Sequence, residues 1–205
     1  MIFLIDPYVE TPCDEFYEWL KQEFKEVNVV RWCPAHQELP LVRHEEVKAV
    51  ISLGSYAMVD DNHEWINGLG KTLLNLYKES KRMICICFSH QLLMSQLGSP
   101  VDYISKNKKM HTQLTKMKFS QSSETAEYFF HHAQKVNKCP EDFHVSGKST
   151  FENDFLLSNN GQCLSAQAHV ELDDTFEEMF EFSNFKESQE KSRHLISKHL
   201  KMSNL

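Results

Sequence analysis

Positive charge is scarce in this sequence. Its 205 residues include 22 Lys and Arg against 29 Asp and Glu, a formal net charge of -7. Binding to a polyanion requires a surplus of basic side chains on one face, so this balance argues against nucleic acid as a partner. The one basic cluster, formed by Lys106, Lys108 and Lys109, is interpreted as a solvated turn before an exposed strand.

Long apolar runs are missing as well. No stretch approaches the roughly 20 apolar residues that a membrane-spanning helix needs. The N-terminal "MIFLIDP" is interrupted by Asp6 and Pro7 too soon for a signal peptide or an anchor. We therefore expect no association with a membrane and a cytoplasmic location.

Glycine and proline are few, with six of each scattered along the chain. No low-complexity tract and no repeat of fixed period is present, which argues against solenoids and against modules joined by linkers. A hydrophobic content of 41% in 205 residues is enough for one well-buried core. Residues 1–205 are accordingly predicted to form a single domain.

The six cysteines do not have the spacing of a metal site. Cys85 and Cys87 form a C-x-C pair, but no second C-x-x-C completes a tetrahedral set for zinc. Without a secretion signal, the cysteines are expected to be reduced thiols and not disulfides. We predict no metal and no other cofactor.

Short apolar strands alternate with amphipathic helices over the first half of the chain. Near-continuous apolar strands of this kind are typical of a parallel sheet covered on both faces, which predicts an α/β, doubly wound fold with a mostly parallel sheet. After Met110 the strands predict a small antiparallel extension that includes a hairpin through Asn159, Asn160 and Gly161. The predicted strands are 2–5, 27–32, 47–53 and 83–86. The first predicted helix has Thr11 as its cap and Pro12 in its first turn, and the others cover 60–80, 90–97, 174–185 and 189–202.

One strand-to-helix junction carries a thiol. In "RMICICFSHQLLMSQLG" a buried-looking strand runs into Cys87 and is followed directly by a helical pattern. A nucleophile at such a corner requires small flanking residues, and Cys85 and Ser89 are both small. The helix N-terminus favours a thiolate. An oxyanion formed on attack could be held by the backbone N–H of Phe88 and by that of Gly54, which ends a neighbouring strand.

A base for this thiol is available near the last predicted strand. In "AQAHVELDD", His169 and Glu171 are two residues apart and therefore point to the same side of an extended chain. The carboxylate can then fix the tautomer of the imidazole, as a nucleophile–base–orienter arrangement requires.

Four motifs together resemble the class I glutamine amidotransferases. "ICICFSHQ" (84–91) resembles the family's Gly-x-Cys-x-Gly-His-Gln elbow, and "QAHVE" (167–171) resembles its Gln-x-His-Pro-Glu. "ISLGS" (51–55) is similar to the strand end with the oxyanion turn, and "FHHAQKV" (130–136) to a His-containing stretch that precedes the last motif. Order and spacing match over most of the chain. "SYAMVDDNHEW" (55–65) also resembles the free-standing members of the family, which include γ-glutamyl peptidase-like proteins.

The resemblance implies a Cys-His-Glu triad made of Cys87, His169 and Glu171. It also implies that Gly54 and Phe88 supply oxyanion N–H groups. Gln91 would lie near the bound glutamine or γ-glutamyl group.

The implied substrate is glutamine or a γ-glutamyl amide or peptide, hydrolysed through a Cys87 thioester. No synthetase domain is expected in the chain, which would either pass ammonia to a separate synthetase subunit or act alone. Cys85 and Ser89 replace the two elbow glycines, and Val170 replaces the proline of the family motif. Gln134 stands where the family usually has Asp.

These departures leave two alternatives open. One is a catalytically weakened binding or regulatory protein of the same fold. The other is a thiol hydrolase of a non-glutamyl substrate, because a fold does not determine a substrate.

Overall fold

A computed structural model describes residues 1–119, 125–149, 153–171 and 185–201. Its helices are α1 (Asp14–Glu23), α2 (Glu64–Lys78), α3 (Phe88–Gln96) and α4 (Phe185–Lys201). Its strands are β1 (Ile2–Ile5), β2 (Val29–Trp32), β3 (Ala49–Ser52), β4 (Arg82–Ile86), β5 (Val101–Tyr103), β6 (His111–Phe119), β7 (Thr125–His132), β8 (Gln134–Val136), β9 (Phe143–Lys148), β10 (Phe155–Ser158) and β11 (Cys163–Ala166). The helix predicted over 174–185 lies outside the described residues up to 184.

A nine-stranded sheet forms the centre of the protein, in the order β2-β1-β3-β4-β11-β10-β9-β6-β7. The strands from β2 to β11 in this order run parallel, and those from β11 to β7 pair antiparallel. Strands β5 and β8 form a separate antiparallel pair. The predicted α/β fold with a mostly parallel sheet and an antiparallel extension is confirmed.

Both faces of the parallel strands are covered by apolar side chains. In β1, Leu4 belongs to one core cluster with Phe16 of α1, whereas its neighbour Ile5 belongs to the opposite cluster with Leu69 of α2. Successive side chains of a strand point to opposite faces, so a continuous apolar strand is what a sheet between two helical layers requires. No helix in the described ranges is long and apolar enough to cross a membrane.

The register of the central strands brings three chain segments to one place. Ser52 of β3 and Ser165 of β11 both pair with Cys85 of β4. Because these strands are parallel, the residues that follow them leave the sheet at the same edge. Gly54, Cys87 and the segment 167–171 therefore meet at the carboxyl ends of three adjacent strands.

Helix α1 begins later than the sequence predicts. The sequence predicts Thr11 as its cap and Pro12 in its first turn, but the helix begins at Asp14 with Cys13 as its N-cap residue. The N–H of Cys13 donates to the buried carboxylate of Asp6, at 2.8 Å. This contact with a residue seven positions earlier fixes the backbone of Cys13 directly before the helix, and the local capping signals at Thr11 do not include it.

Candidate active site

Cys87 lies at a sharp corner between β4 and α3. It is the N-cap residue of α3 and adopts φ 48° and ψ -105°, a conformation that residues with a side chain rarely adopt. Its N–H donates to the carbonyl of Ala166 at 2.7 Å, which continues the pairing of β4 with β11 into the corner. The geometry places the thiol at the N-terminus of α3, where the helix dipole favours negative charge.

Neither of the two small residues that flank this corner, Cys85 and Ser89, is a glycine. Ser89 is fully buried, and its hydroxyl donates to the carbonyl of Leu53 at 2.7 Å and lies 2.7 Å from the hydroxyl of Ser52. Ser89 thus ties the first turn of α3 to the end of β3. Cys85 is also fully buried, and its interaction with Cys163 of the adjacent strand, together with burial, raises the pKa of the Cys163 thiol.

His169 and Glu171 lie against Cys87, both buried. The Nδ1–H of His169 donates to Oε1 of Glu171 at 2.9 Å, and its backbone N–H donates to the carbonyl of Phe129 at 2.8 Å. Nε2 lies 3.3 Å from the carbonyl oxygen of His131, which can only accept. With acceptors facing both ring nitrogens, the surroundings suit a doubly protonated imidazolium.

The electrostatics of His169 agree with this geometry. Burial alone would lower the pKa of the imidazole, but the charges of Glu171 and Cys87, together with hydrogen bonds to both, raise the pKa of His169 well above its usual value. A raised pKa at this position favours the imidazolium form of His169. An imidazolium beside a cysteine is the arrangement that activates a cysteine–histidine nucleophile.

The carbonyl of His131 is a part of the site that the sequence did not reveal. It lies at the end of β7, 3.8 Å from Sγ of Cys87 and 3.3 Å from Nε2 of His169. The imidazole of His131 stacks edge-on with Tyr56, and burial lowers the pKa of His131 to about 4. A backbone carbonyl has no sequence signature, so only the three-dimensional arrangement of β7 identifies it.

Gly54 is in contact with all three residues of the Cys-His-Glu group. A Cβ at this position would lie 2.9 Å from Cε1 of His169, 3.1 Å from Oε1 of Glu171 and 3.4 Å from Cβ of Cys87. The position therefore requires glycine for space. Its N–H donates to Oε1 of Glu171 at 3.4 Å, so in this structure the amide faces the carboxylate and not an oxyanion position.

The two remaining predicted residues occupy different places. Phe88 is the first residue of α3, and the N–H groups of a first turn have no intrahelical partner. Gln91 lies on the inner face of α3, where its amide donates to the carbonyl of Gln134 and to the side chain of Gln167. Its contact with a substrate stays a prediction.

Gln167 is a polar neighbour of the thiol that was not among the residues predicted from the sequence. Its Nε2 donates to Sγ of Cys87 at 3.5 Å, and its side chain is almost fully buried. The signal was present in the sequence, because Gln167, His169 and Glu171 are spaced two apart and so share one side of an extended chain. Within the described residues, no group of three or more His, Cys, Asp or Glu side chains could hold a metal ion.

Comparison with known families gives one match over most of the chain. The sequence model of the family Glutamine amidotransferase class-I matches residues 13–187. No curated protein matches the chain.

Several solved structures share the fold. A glutamine amidotransferase from Thermotoga maritima superimposes with a TM-score of 0.71 at 19% identity, over 99% of this chain and 95% of that one. A protein from Thermoplasma acidophilum, described as part of a GMP synthase, gives 0.63 at 16% identity, over 95% and 96% of the two chains. PurLQS from Thermotoga maritima gives 0.60 at 12% identity, over 95% and 98%.

Proposed function

Since the chain belongs to the class-I glutamine amidotransferase family, we propose that it is a thiol-dependent amidohydrolase that cleaves glutamine or a γ-glutamyl amide or peptide. One observation supports this most strongly. Sγ of Cys87 and Nε2 of His169 meet at one carbonyl, 3.8 Å and 3.3 Å from the oxygen of His131, and a buried carboxylate of Glu171 lies 2.9 Å from Nδ1 of His169. This is the nucleophile, base and orienting group of a covalent acyl transfer.

The reaction begins with the attack of Sγ of Cys87 on the γ-carbonyl carbon of the substrate. The carbonyl π electrons move to the oxygen, and a tetrahedral intermediate with a negative oxygen results. The N–H of Phe88 is suited to this oxygen because it belongs to the first turn of α3, with the positive end of the helix dipole. A second donor at Gly54 would require its N–H to leave Glu171.

His169 then acts as the general acid. Its Nε2–H protonates the leaving nitrogen, the C–N bond breaks, and ammonia or an amine departs while Cys87 holds the γ-glutamyl group as a thioester. In the second half, neutral His169 removes a proton from water, and the water oxygen attacks the thioester carbon. The C–S bond breaks, which releases glutamate and restores the thiolate–imidazolium pair.

The fate of the ammonia is part of the proposal. The chain resembles one structure described as PurLQS and another described as part of a GMP synthase. These likenesses support a role in which ammonia is passed to a separate synthetase subunit. With a γ-glutamyl peptide as substrate, no such partner is needed, because the amine itself is the product.

Glutamate release tests this function. We would incubate the protein with glutamine and with a set of γ-glutamyl amides and peptides, beside the variants Cys87→Ala and Cys139→Ala. Cys139 is a partly buried cysteine outside the site and serves as the matched control. Release by the native protein and by Cys139→Ala, but not by Cys87→Ala, is the expected result.

A binding protein of the same fold is the second candidate. It is favoured by the low exposure of Cys87 and His169, 3% and 4%, beneath the carbonyl of His131. No glutamate release, together with a Cys87 that resists a glutamine-like chloroketone in the folded protein, would contradict the hydrolase. Rapid labelling of Cys87 with release from a non-glutamyl amide would instead assign another substrate.

A further inference from the structure

Two buried glutamine side chains form a chain of hydrogen bonds that ends on the thiol. Nε2 of Gln91 donates to the backbone carbonyl of Gln134 at 2.7 Å and to Oε1 of Gln167 at 2.9 Å. Nε2 of Gln167 then donates to Sγ of Cys87 at 3.5 Å. Gln91 and Gln167 are 3% and 2% exposed, so water does not compete for these contacts.

The direction of this chain is determined by the group at its far end. The carbonyl of Gln134 can only accept, so the Gln91 atom that faces it is the amino nitrogen. The second hydrogen of the same nitrogen is directed at Gln167, which must present its oxygen. The amino group of Gln167 is thereby left to face the sulfur.

Two further contacts hold this chain of hydrogen bonds in place, one at the carbonyl of Gln134 and one at the backbone of Gln167. The carbonyl of Gln134 also accepts from Nδ1 of His132 at 2.6 Å, which uses the second lone pair of that oxygen. The backbone of Gln167 is held independently, because its N–H donates to the carbonyl of Asp154 at 2.7 Å. Neither amide can therefore reverse without breaking a buried hydrogen bond.

The orientation matters for the chemistry of the sulfur. An N–H donor gains strength when its acceptor is charged, so an amino group that faces Sγ stabilises the thiolate more than the thiol. A reversed amide would present a carbonyl oxygen to the same sulfur and would disfavour the thiolate. When Sγ of Cys87 forms a thioester, the Nε2–H of Gln167 must be shared with another acceptor or released from the sulfur.

We propose that Gln167 is a further catalytic residue, which stabilises the Cys87 thiolate by direct donation to Sγ. Gln91 is the positioning residue that fixes the orientation of the Gln167 amide. The proposal rests on the function proposed above, since it concerns the nucleophile of that reaction. It gives Gln91 a role through Gln167 in addition to the substrate contact expected from the sequence.

The test is the pH dependence of Cys87 alkylation by iodoacetamide in the absence of substrate. Modification is quantified for the Cys87 peptide by mass spectrometry, so that the other cysteines do not interfere. Gln167→Met and Gln91→Met remove the donors at similar side-chain length. Gln96→Met, an exposed glutamine of the same helix, is the matched control.

We expect the midpoint of the alkylation profile to move to higher pH by about half to one unit in Gln167→Met. Gln91→Met should move it in the same direction by less, and Gln96→Met should leave it unchanged. Gln167→Glu, which places a carboxylate against the sulfur, should give the largest upward shift. If Gln167→Met does not fold, the alkylation profile of Gln167→Glu tests the role of Gln167.

An unchanged profile in folded Gln167→Met or Gln167→Glu would overturn the role of Gln167. A shift in the Gln167 variants without one in Gln91→Met would overturn the positioning role of Gln91. The outcome is independent of turnover: glutamate release and chloroketone labelling decide the proposed hydrolase, whereas the alkylation profiles decide the contact between Gln167 and Cys87.

Discussion

At the scale of single residues, the candidate site depends on Gly54, where there is no space for a side chain. We predict that Gly54→Ala lowers kcat/KM for glutamate release by roughly 100-fold or more, because a Cβ 2.9 Å from His169 must displace the imidazole from its place beside Cys87. The rate is measured by steady-state kinetics. Gly68→Ala, where an added Cβ meets nothing within 4 Å, is the control and should keep the native rate.

The backbone of Cys87 leads to a second prediction at this scale. A non-glycine residue at φ 48° and ψ -105° carries strain of about 1–3 kcal/mol, which glycine does not. Glycine costs about 0.5–1 kcal/mol of additional backbone entropy, so the strain relief should exceed this cost. Cys87→Gly is therefore expected to be more stable than Cys87→Ala by about 1 kcal/mol in urea denaturation. A more stable alanine variant would show that the corner is unstrained.

At the scale of elements, a hydrogen bond at the first turn of α3 holds the end of β3. We predict that Ser89→Ala and Ser89→Gly each lower the free energy of unfolding by about 1–3 kcal/mol, since the carbonyl of Leu53 and the hydroxyl of Ser52 lose a buried partner. Equilibrium denaturation measures the loss. The comparison with Ser95→Ala, a partly exposed position on the same helix, isolates the contribution of the buried contact.

The effect of Ser89→Gly is informative because glycine is the residue of the family's elbow. If this variant were as stable as the native protein, Ser89 would be only a tolerated substitute for glycine. A loss of stability equal to that of Ser89→Ala would instead show that this chain uses the serine hydroxyl to connect the strand end at Leu53 with α3.

The sequence predicts those elements whose signal is local. Strand β1 has the predicted bounds 2–5, and the hairpin between β10 and β11 forms where Gly161 adopts φ 72°. Apolar continuity and turn chemistry encode these features directly. The predicted start of α1 is wrong by two residues, because the buried carboxylate of Asp6 binds the N–H of Cys13.

The candidate site, like the fold, could be predicted where its signal is local in the sequence. The spacing of His169 and Glu171 in an extended segment predicts their contact, and the structure has it at 2.9 Å. The direction of the Gly54 amide and the position of the His131 carbonyl could not be predicted, since both depend on strands that pair far apart in sequence. A sequence shows which side chains are present, but it does not show the direction in which backbone N–H and carbonyl groups point.

At the scale of the whole molecule, several histidines enclosed by the fold share one electrostatic property. Burial lowers the pKa of His90 to about 3 and lowers the pKa of His131, His132 and His199 to about 4. In the unfolded chain each would titrate near 6.5. Below that pH the unfolded state binds protons that the folded state does not, so the stability of the protein should fall as the pH decreases from about 6.5 towards 4.

His199 allows this pH dependence to be tested away from the candidate site. It lies on α4, where its Nε2–H donates to the carbonyl of Met83 at 3.1 Å. A pKa shift from 6.5 to about 4 corresponds to a loss of up to about 3 kcal/mol of stability between these pH values. His199→Gln keeps a donor but does not titrate, so its unfolding free energy should fall less steeply with decreasing pH. Urea denaturation from pH 7.5 to 4.5 measures the slope, and a slope equal to that of the exposed His194→Gln on the same helix would contradict the assignment.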